Sequence, residues 1–167
     1  GCLILIDGDT FEESNLNRQL LSTEALLDVP KVEAARQRVM EINSSVDVVA
    51  CAERLNAGNA SRLLAGADVV VDALDRIPTR LMLQDCAQAM GIPMVHGSIA
   101  GFLGQIMTIC PGDAGLAALY RGLEEVRERG IETEVGVPAA TPMAGAAWEA
   151  QEGIKILTGL GRLLRNQ

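Results

Sequence analysis

The chain has 167 residues, of which 49% are hydrophobic and only 2% aromatic, and a formal charge of −8. That length is enough to bury the core of one ordinary domain, and the aliphatic bias suits a sheet covered on both faces. The acidic balance excludes a general nucleic-acid binder, and no apolar run approaches the ~20 residues of a membrane span.

Cys2, Cys51, Cys86 and Cys110 are widely separated and form no C-x-x-C pair. With a single histidine, His96, they make no local zinc pattern. Reduced thiols and a cytoplasmic location are the expectation.

In chain order, "CLILI" at 2–6 is continuously apolar and predicts a strand, which stops at Asp7 and Asp9. A polar loop follows, carrying Asn15, Asn17, Arg18 and Gln19 close together. "PKVEAARQRVMEIN", from Pro30, predicts a helix with Val32, Ala35, Val39 and Ile42 near one stripe and Glu33 paired with Arg36. "VDVVACAE" predicts a second strand, and "NAGNASRLLAGA" a short helix ending near Gly66. "ADVVVDALD" predicts a third strand, ending at Asp72 and Asp75. "TRLMLQDCAQAMG" predicts a helix closed by Gly91. "IPMVHGS" and "GQIMTICPGD" predict a fourth strand and a fifth, its antiparallel neighbour. Residues 114–137 are less regular, with the charged stretch "EEVRERGIETE" expected at the surface, before an Ala- and Gly-rich helix over 142–158.

Alternating strands and helices with apolar strands imply right-handed crossovers. The expected fold is α/β: a Rossmann-like, mostly parallel sheet with helices on both faces and an antiparallel C-terminal strand pair, in a single domain over 1–167. Ligands of such sheets bind beyond the carboxyl ends of the strands. Asp7 is placed there like an acid that accepts hydrogen bonds from a ribose. Arg18 and Lys31 are placed to bind phosphates, and Asp75 to hold a magnesium ion, so all four are expected to converge on one cleft. Asp72 and His96 read as structural, and Cys110 as a buried strand thiol. The glycines of "GSIAGFLG" read as a turn or a site of close packing.

The ordered series "IDGDTFEESNLNRQ", "PKVEAAR" and "DVVVDALD" resembles the ThiF/MoeB/HesA family, relatives of the ubiquitin-activating enzymes. "GSIAGFLGQIMTICPGD" and "AGAAWEAQEGIKILTG" match its later segments in order, so the resemblance covers nearly the whole chain. It implies ATP- and magnesium-dependent adenylation of the C-terminal glycine of a ubiquitin-like sulfur carrier or modifier ending in Gly-Gly. Thiamine, molybdenum-cofactor or related sulfur transfer are the pathways it suggests, with a homodimer as the assembly. By position, Asp7 resembles the ribose ligand, with Asp9 beside it in the motif. Asn15, Arg18 and Lys31 resemble phosphate contacts, Gln19 a brace for the loop, and Asp75 the magnesium-linked aspartate. In the implied reaction a glycine carboxylate attacks the α-phosphate and pyrophosphate leaves. Two anions must approach, so fixed cations and a metal carry the catalysis.

The sequence also departs from the family pattern. The G-x-G-x-x-G turn lies upstream of the matching segment, so ~25–30 preceding residues, the size of a βαβ unit's missing part, are expected. Arg76 stands where asparagine is common, neither structural zinc pair is present, and the crossover after Asp113 has no cysteine. Two alternatives accompany the adenylation reading: a noncatalytic carrier- or subunit-binding module, and an NAD-dependent oxidoreductase, since Asp7 also fits a dinucleotide ribose.

Overall fold

The computed structural model describes residues 1–120 and 128–165. Part of the charged stretch expected at the surface, residues 124–127, lies outside the described residues. The chain divides into two compact units, Gly1–Asn59 and Ala60–Gln167.

In the first unit, β1 (Cys2–Ile6) pairs in parallel with β2 (Asp47–Cys51), Ile4 facing Val49 in the register. Two single-turn 3-10 helices, Glu13–Asn15 and Glu24–Leu26, lie in the connection that leads to α1 (Lys31–Ile42). α1 packs on β1 and β2, burying Val32 and Ala34. The expected apolar stripe holds at Val32 but not at the far end, where Ile42 is 69% exposed. The chain turns just beyond, at Asn43, whose Oδ1 accepts the Ser45 N–H and whose own N–H donates to the Val39 carbonyl.

The second unit starts with α2 (Ala60–Leu63), much shorter than its sequence segment suggests. Next come β3 (Val70–Asp72), α3 (Ile77–Ala89), β4 (Met94–Ala100) and β5 (Leu103–Ile109). Pro78 sits in the first turn of α3, where its missing N–H costs nothing. Gly91, just past the helix end, has a φ of +72°, the left-handed conformation that ends helices. β3 and β4 are parallel, β4 and β5 antiparallel, as expected of the C-terminal strand pair. Ala100 faces Leu103 across the hairpin, and Gly101 supplies the positive φ of +57° that its tight turn requires. Two short helices follow, α4 (Leu116–Tyr120) and α5 (Glu132–Val135), before the long α6 (Ala140–Thr158).

Strand alternation divides this sheet between two helices. Arg80 of α3 reaches Asp72, whereas a Cβ on Gly153 of α6 would lie 3.9 Å from the side chain of the neighbouring Val71. Helices therefore cover both faces of this sheet. Its core is built from Val70, Leu83, Met94, Val95, Ile109 and Leu116. The fold is mixed α/β, with parallel strand pairs and one antiparallel pair. The third strand ends at Asp72, not at Asp75. Asp72 turns its Oδ1 back to the Leu74 N–H at 2.9 Å, and this local bond replaces the next rung of the ladder.

Candidate functional site

In the first unit Asp7, Asp9 and Lys31 lie at the carboxyl end of β1. The Asp7 N–H donates to Cys51 O at 3.2 Å and carries the parallel ladder one rung past the strand. Asp7 Oδ1 then accepts the Asp9 N–H at 2.8 Å, a side-chain turn that swings the backbone out of the sheet. Between them Gly8 makes room. A Cβ there would lie 2.6 Å from Arg54 Cγ and 2.7 Å from the Arg54 backbone nitrogen.

Backbone bonds then bring the start of α1 to this strand tip. Phe11, 2% exposed, donates its N–H to Val29 O and accepts from Asp28 N–H, while Lys31 N–H donates to Asp9 O at 3.0 Å. Lys31 is the first residue of α1, at the helix end whose dipole favours an anion. Its Nζ lies 3.8 Å from Asp9 Oδ2, and Arg54 places Nη2 2.6 Å from Asp9 Oδ1. Asp9 is thus the counter-ion between two cations.

Asn15 and Arg18 sit on the loop between. Asn15 is 6% exposed; its Oδ1 accepts the Glu12 N–H at 3.1 Å, closing a reciprocal cap with the Glu12 side chain. Its amide group is therefore engaged within the loop. Arg18 folds its Nη1 onto Ser14 O at 2.7 Å and Asn17 Oδ1 at 2.9 Å. Gln19 donates its backbone N–H to Asn15 O and accepts the Ser22 hydroxyl at 2.6 Å on its own carbonyl, which ties the loop to the segment after it.

In the second unit Asp75 stands beyond the end of β3, its side chain 65% exposed. Arg129 places Nη2 2.9 Å from Asp75 Oδ2, and Arg76 pairs with Glu128 of the same segment. Behind Asp75 lies a buried group that the sequence reading treated as structural. Asp72 is 1% and His96 0% exposed, and Asp72 Oδ2 meets His96 Nδ1 at 2.7 Å and Arg80 Nε at 3.6 Å. On the other sheet face Glu149 of α6 lies over Gly97, so close that a Cβ on residue 97 would fall 2.4 Å from its carboxylate. Burial first, then repulsion from Asp72, pushes the Glu149 carboxyl up to about 7, although Arg80 pulls the other way. Cys110 is half-buried, and Asp113 Oδ2 accepts its N–H at 2.9 Å.

Sequence reasoning missed Arg54, Arg80, Arg129 and Glu149. Arg54 alone carried a local signal, its place just past the second strand. The others acquire their partners over separations of 8 residues in Arg80–Asp72 and 54 in Arg129–Asp75, which no short pattern reports.

The model of the ThiF family matches residues 1–167, the whole chain. The chain belongs to the ThiF family. Among curated relatives of this ThiF-family chain, the SAMP-activating enzyme E1 of Haloferax volcanii is 35% identical over 98% of the chain and 61% of its own length. The sulfur carrier protein ThiS adenylyltransferase of Bacillus subtilis is 33% identical over 95% of the chain and 48% of its own length. The chain thus spans about half to three fifths of these relatives. Among solved structures, E. coli MccB with ATP superposes with a TM-score of 0.80 over 96% of the chain and 50% of its own, at 21% identity. That likeness supports the Rossmann-like fold.

Proposed function

We propose that this ThiF-family chain carries nucleotide-site residues of an enzyme that adenylates the C-terminal glycine of a ubiquitin-like sulfur carrier or modifier, with ATP as the adenylyl donor. The observation that carries the reading is the arrangement at the tip of β1. Asp7, the carboxylate of Asp9 and the Lys31 ammonium at the start of a helix are brought together by backbone bonds that the motif residues themselves make. The names of the relatives point the same way, since one is an E1-type activating enzyme and another a sulfur-carrier adenylyltransferase.

In this reading Asp7 accepts hydrogen bonds from the ribose hydroxyls. Arg18 and Lys31 turn from their present partners to the phosphates, where they stabilise charge as pyrophosphate departs. Asn15 and Gln19 hold the loop that presents Arg18. Asp9 releases Lys31 and Arg54 when an anion with more charge arrives.

Asp75 is the residue assigned to magnesium. A guanidinium already rests on its carboxylate, so the position accepts a cation. Among the described residues no cluster of three or more His, Cys, Asp or Glu is present that would form an all-protein cage. One carboxylate with the remaining ligands from phosphates and water is how magnesium is commonly held. When bound, the ion supplies charge neutralisation at the phosphates. The partner is a small carrier ending in Gly-Gly, the working assembly a homodimer, and the setting cytoplasmic. None of the helices among the described residues is long and apolar enough to cross a membrane.

ATP–pyrophosphate exchange tests the proposal. Exchange that requires both the carrier and magnesium is expected from the protein at its natural length; nucleotide binding without exchange in the presence of candidate carriers would overturn it.

A further inference from the structure

His96 is the most completely enclosed titratable ring in the second unit, 0% exposed, in the middle of β4. Its Nε2 is buried and has no hydrogen-bond partner among the described residues. Its neighbours Met94 and Val95 show that apolar residues serve well in this strand. A ring nitrogen left bare in the interior is unfavourable, so the histidine owes its place to its other nitrogen. Nδ1 lies 2.7 Å from Asp72 Oδ2, directly across the parallel register that sets Asp72 beside His96. With Nδ1 carrying the proton, the ring donates to the carboxylate and fixes its orientation.

That orientation has consequences two and three residues further on. With Oδ2 held by His96 and facing Arg80 at 3.6 Å, Asp72 Oδ1 is left to accept the Leu74 N–H at 2.9 Å. Arg80, ion-paired to the same carboxylate, donates Nε to Leu74 O at 2.8 Å, and its Nη2 donates to the same carbonyl. Leu74 is therefore gripped at its N–H by an acid and at its C=O by a guanidinium, and the two gripping groups face each other. The residue attached to that carbonyl is Asp75. Asp75 itself is exposed, and its side-chain ion pair is with Arg129 on the exposed segment before α5. Its backbone placement comes from the buried groups behind it.

We propose that His96 is a positioning residue for Asp75, acting through the Asp72 carboxylate and, with Arg80, through the two peptide groups of Leu74. The order of support runs from β4, an interior strand paired on both sides, to His96, to Asp72 and Arg80, to Leu74 and so to Asp75. The consequence for catalysis rests on the adenylation reading: a carboxylate that shares a cation with phosphates must be held in place by a supporting shell, because sites left loose lose metal affinity and rate.

The test uses His96→Leu and His96→Gln in the protein at its natural length. Amide exchange followed by mass spectrometry reads peptides across 72–77 and, as an internal reference, across β5. His96→Leu is expected to speed exchange at 72–77 by ~10-fold or more while β5 is unchanged, and His96→Gln, whose amide can still donate to Asp72, to restore much of the protection. In pyrophosphate exchange His96→Leu should raise half-saturating magnesium by ~10-fold with the saturated rate within ~3-fold. Unchanged exchange at 72–77 in a folded His96→Leu protein overturns the proposal. Should His96→Leu not fold, the wild-type protein decides. A Leu74 amide as slow as those of β4 supports the clamp, and one exchanging like an open loop overturns it. A wild-type protein inert in pyrophosphate exchange would remove the adenylation reading and leave amide exchange to judge the clamp.

Discussion

Arg129 places its Nη2 2.9 Å from Oδ2 of Asp75, so the carboxylate assigned to magnesium already carries a positive partner. Both side chains are more than half exposed, 55% and 65%. An ion pair in that setting is worth ~0–1 kcal/mol. It delays a competing cation without preventing it.

Arg129→Ala should therefore lower the half-saturating magnesium concentration in pyrophosphate exchange by no more than ~5-fold, the equivalent of ~1 kcal/mol. Asp75→Asn should reduce the exchange rate by ~10²-fold or more, since in the proposed reaction its charge holds the ion at the phosphates. A titration of magnesium at fixed ATP measures both. An Asp75→Asn enzyme with the wild-type rate would remove Asp75 from the reaction.

Arg18→Ala and Lys31→Ala should each lower adenylate formation by ~10²-fold or more, the loss expected when developing charge is deprived of a fixed donor. Folding should survive both. Arg18 is bonded within its own loop, and the Lys31 Nζ lies 3.8 Å from a half-exposed Asp9. Single-turnover adenylation together with thermal unfolding separates the two effects; near-normal turnover in both variants would refute the phosphate roles.

Glu149 gives the second unit a pH dependence of a definite sign. Its folded-state carboxyl is raised from 4.5 to about 7, by burial first and then by Asp72. Between those values the folded protein binds more protons than the unfolded one, so this group's contribution to stability declines as pH rises from 4.5 through 7. Glu149→Gln removes the titration. The drop in Tm between pH 5 and pH 8 should be smaller in the variant than in the wild-type protein. Gly97→Ala should have a similar effect, because its Cβ would displace the flexible Glu149 carboxylate toward water. Parallel melting curves for all three proteins across that range would contradict this account.

Glu152, three residues along α6, behaves in the opposite way. Burial would raise its carboxyl, but hydrogen bonds outweigh it: Lys155 Nζ at 2.5 Å, Thr108 Oγ1 at 2.6 Å and Leu164 N–H at 2.8 Å hold it below the ordinary carboxylate range. Its stabilisation is present above pH 4.5 and is lost as pH falls through the lowered folded value. Glu152 is 0% exposed, so Glu152→Ala strands buried donors and should cost ~3–5 kcal/mol. Urea unfolding at pH 7 measures this, and a loss under ~1 kcal/mol would show that the residues from 162 to 165 are not anchored through this acid.

The elements themselves were written locally. The unbroken apolar run before Asp7 marks a strand that pairs in parallel with β2. Pro30 and Gly91 punctuate helices through fixed or positive φ, and the ordered series S-N-L-N-R-Q then P-K-V carries the family resemblance. These signals depend on neighbouring residues, so a linear reading captures them and nominates Asp7, Arg18, Lys31 and Asp75 as candidates. What the sequence could not carry is which groups meet across long separations. Asp72 was legible as a strand-end acid, but only the register of β3 against β4 makes His96 its partner. Glu149 lies in an unremarkable helical run, and the bare Cα of Gly97 beneath it leaves room for its half-buried carboxylate. Arg129 was one charge among several until the chain before α5 returned to Asp75. Local patterns decide which face a residue presents; the desolvation and charge that give it a function come from what the rest of the chain packs against that face.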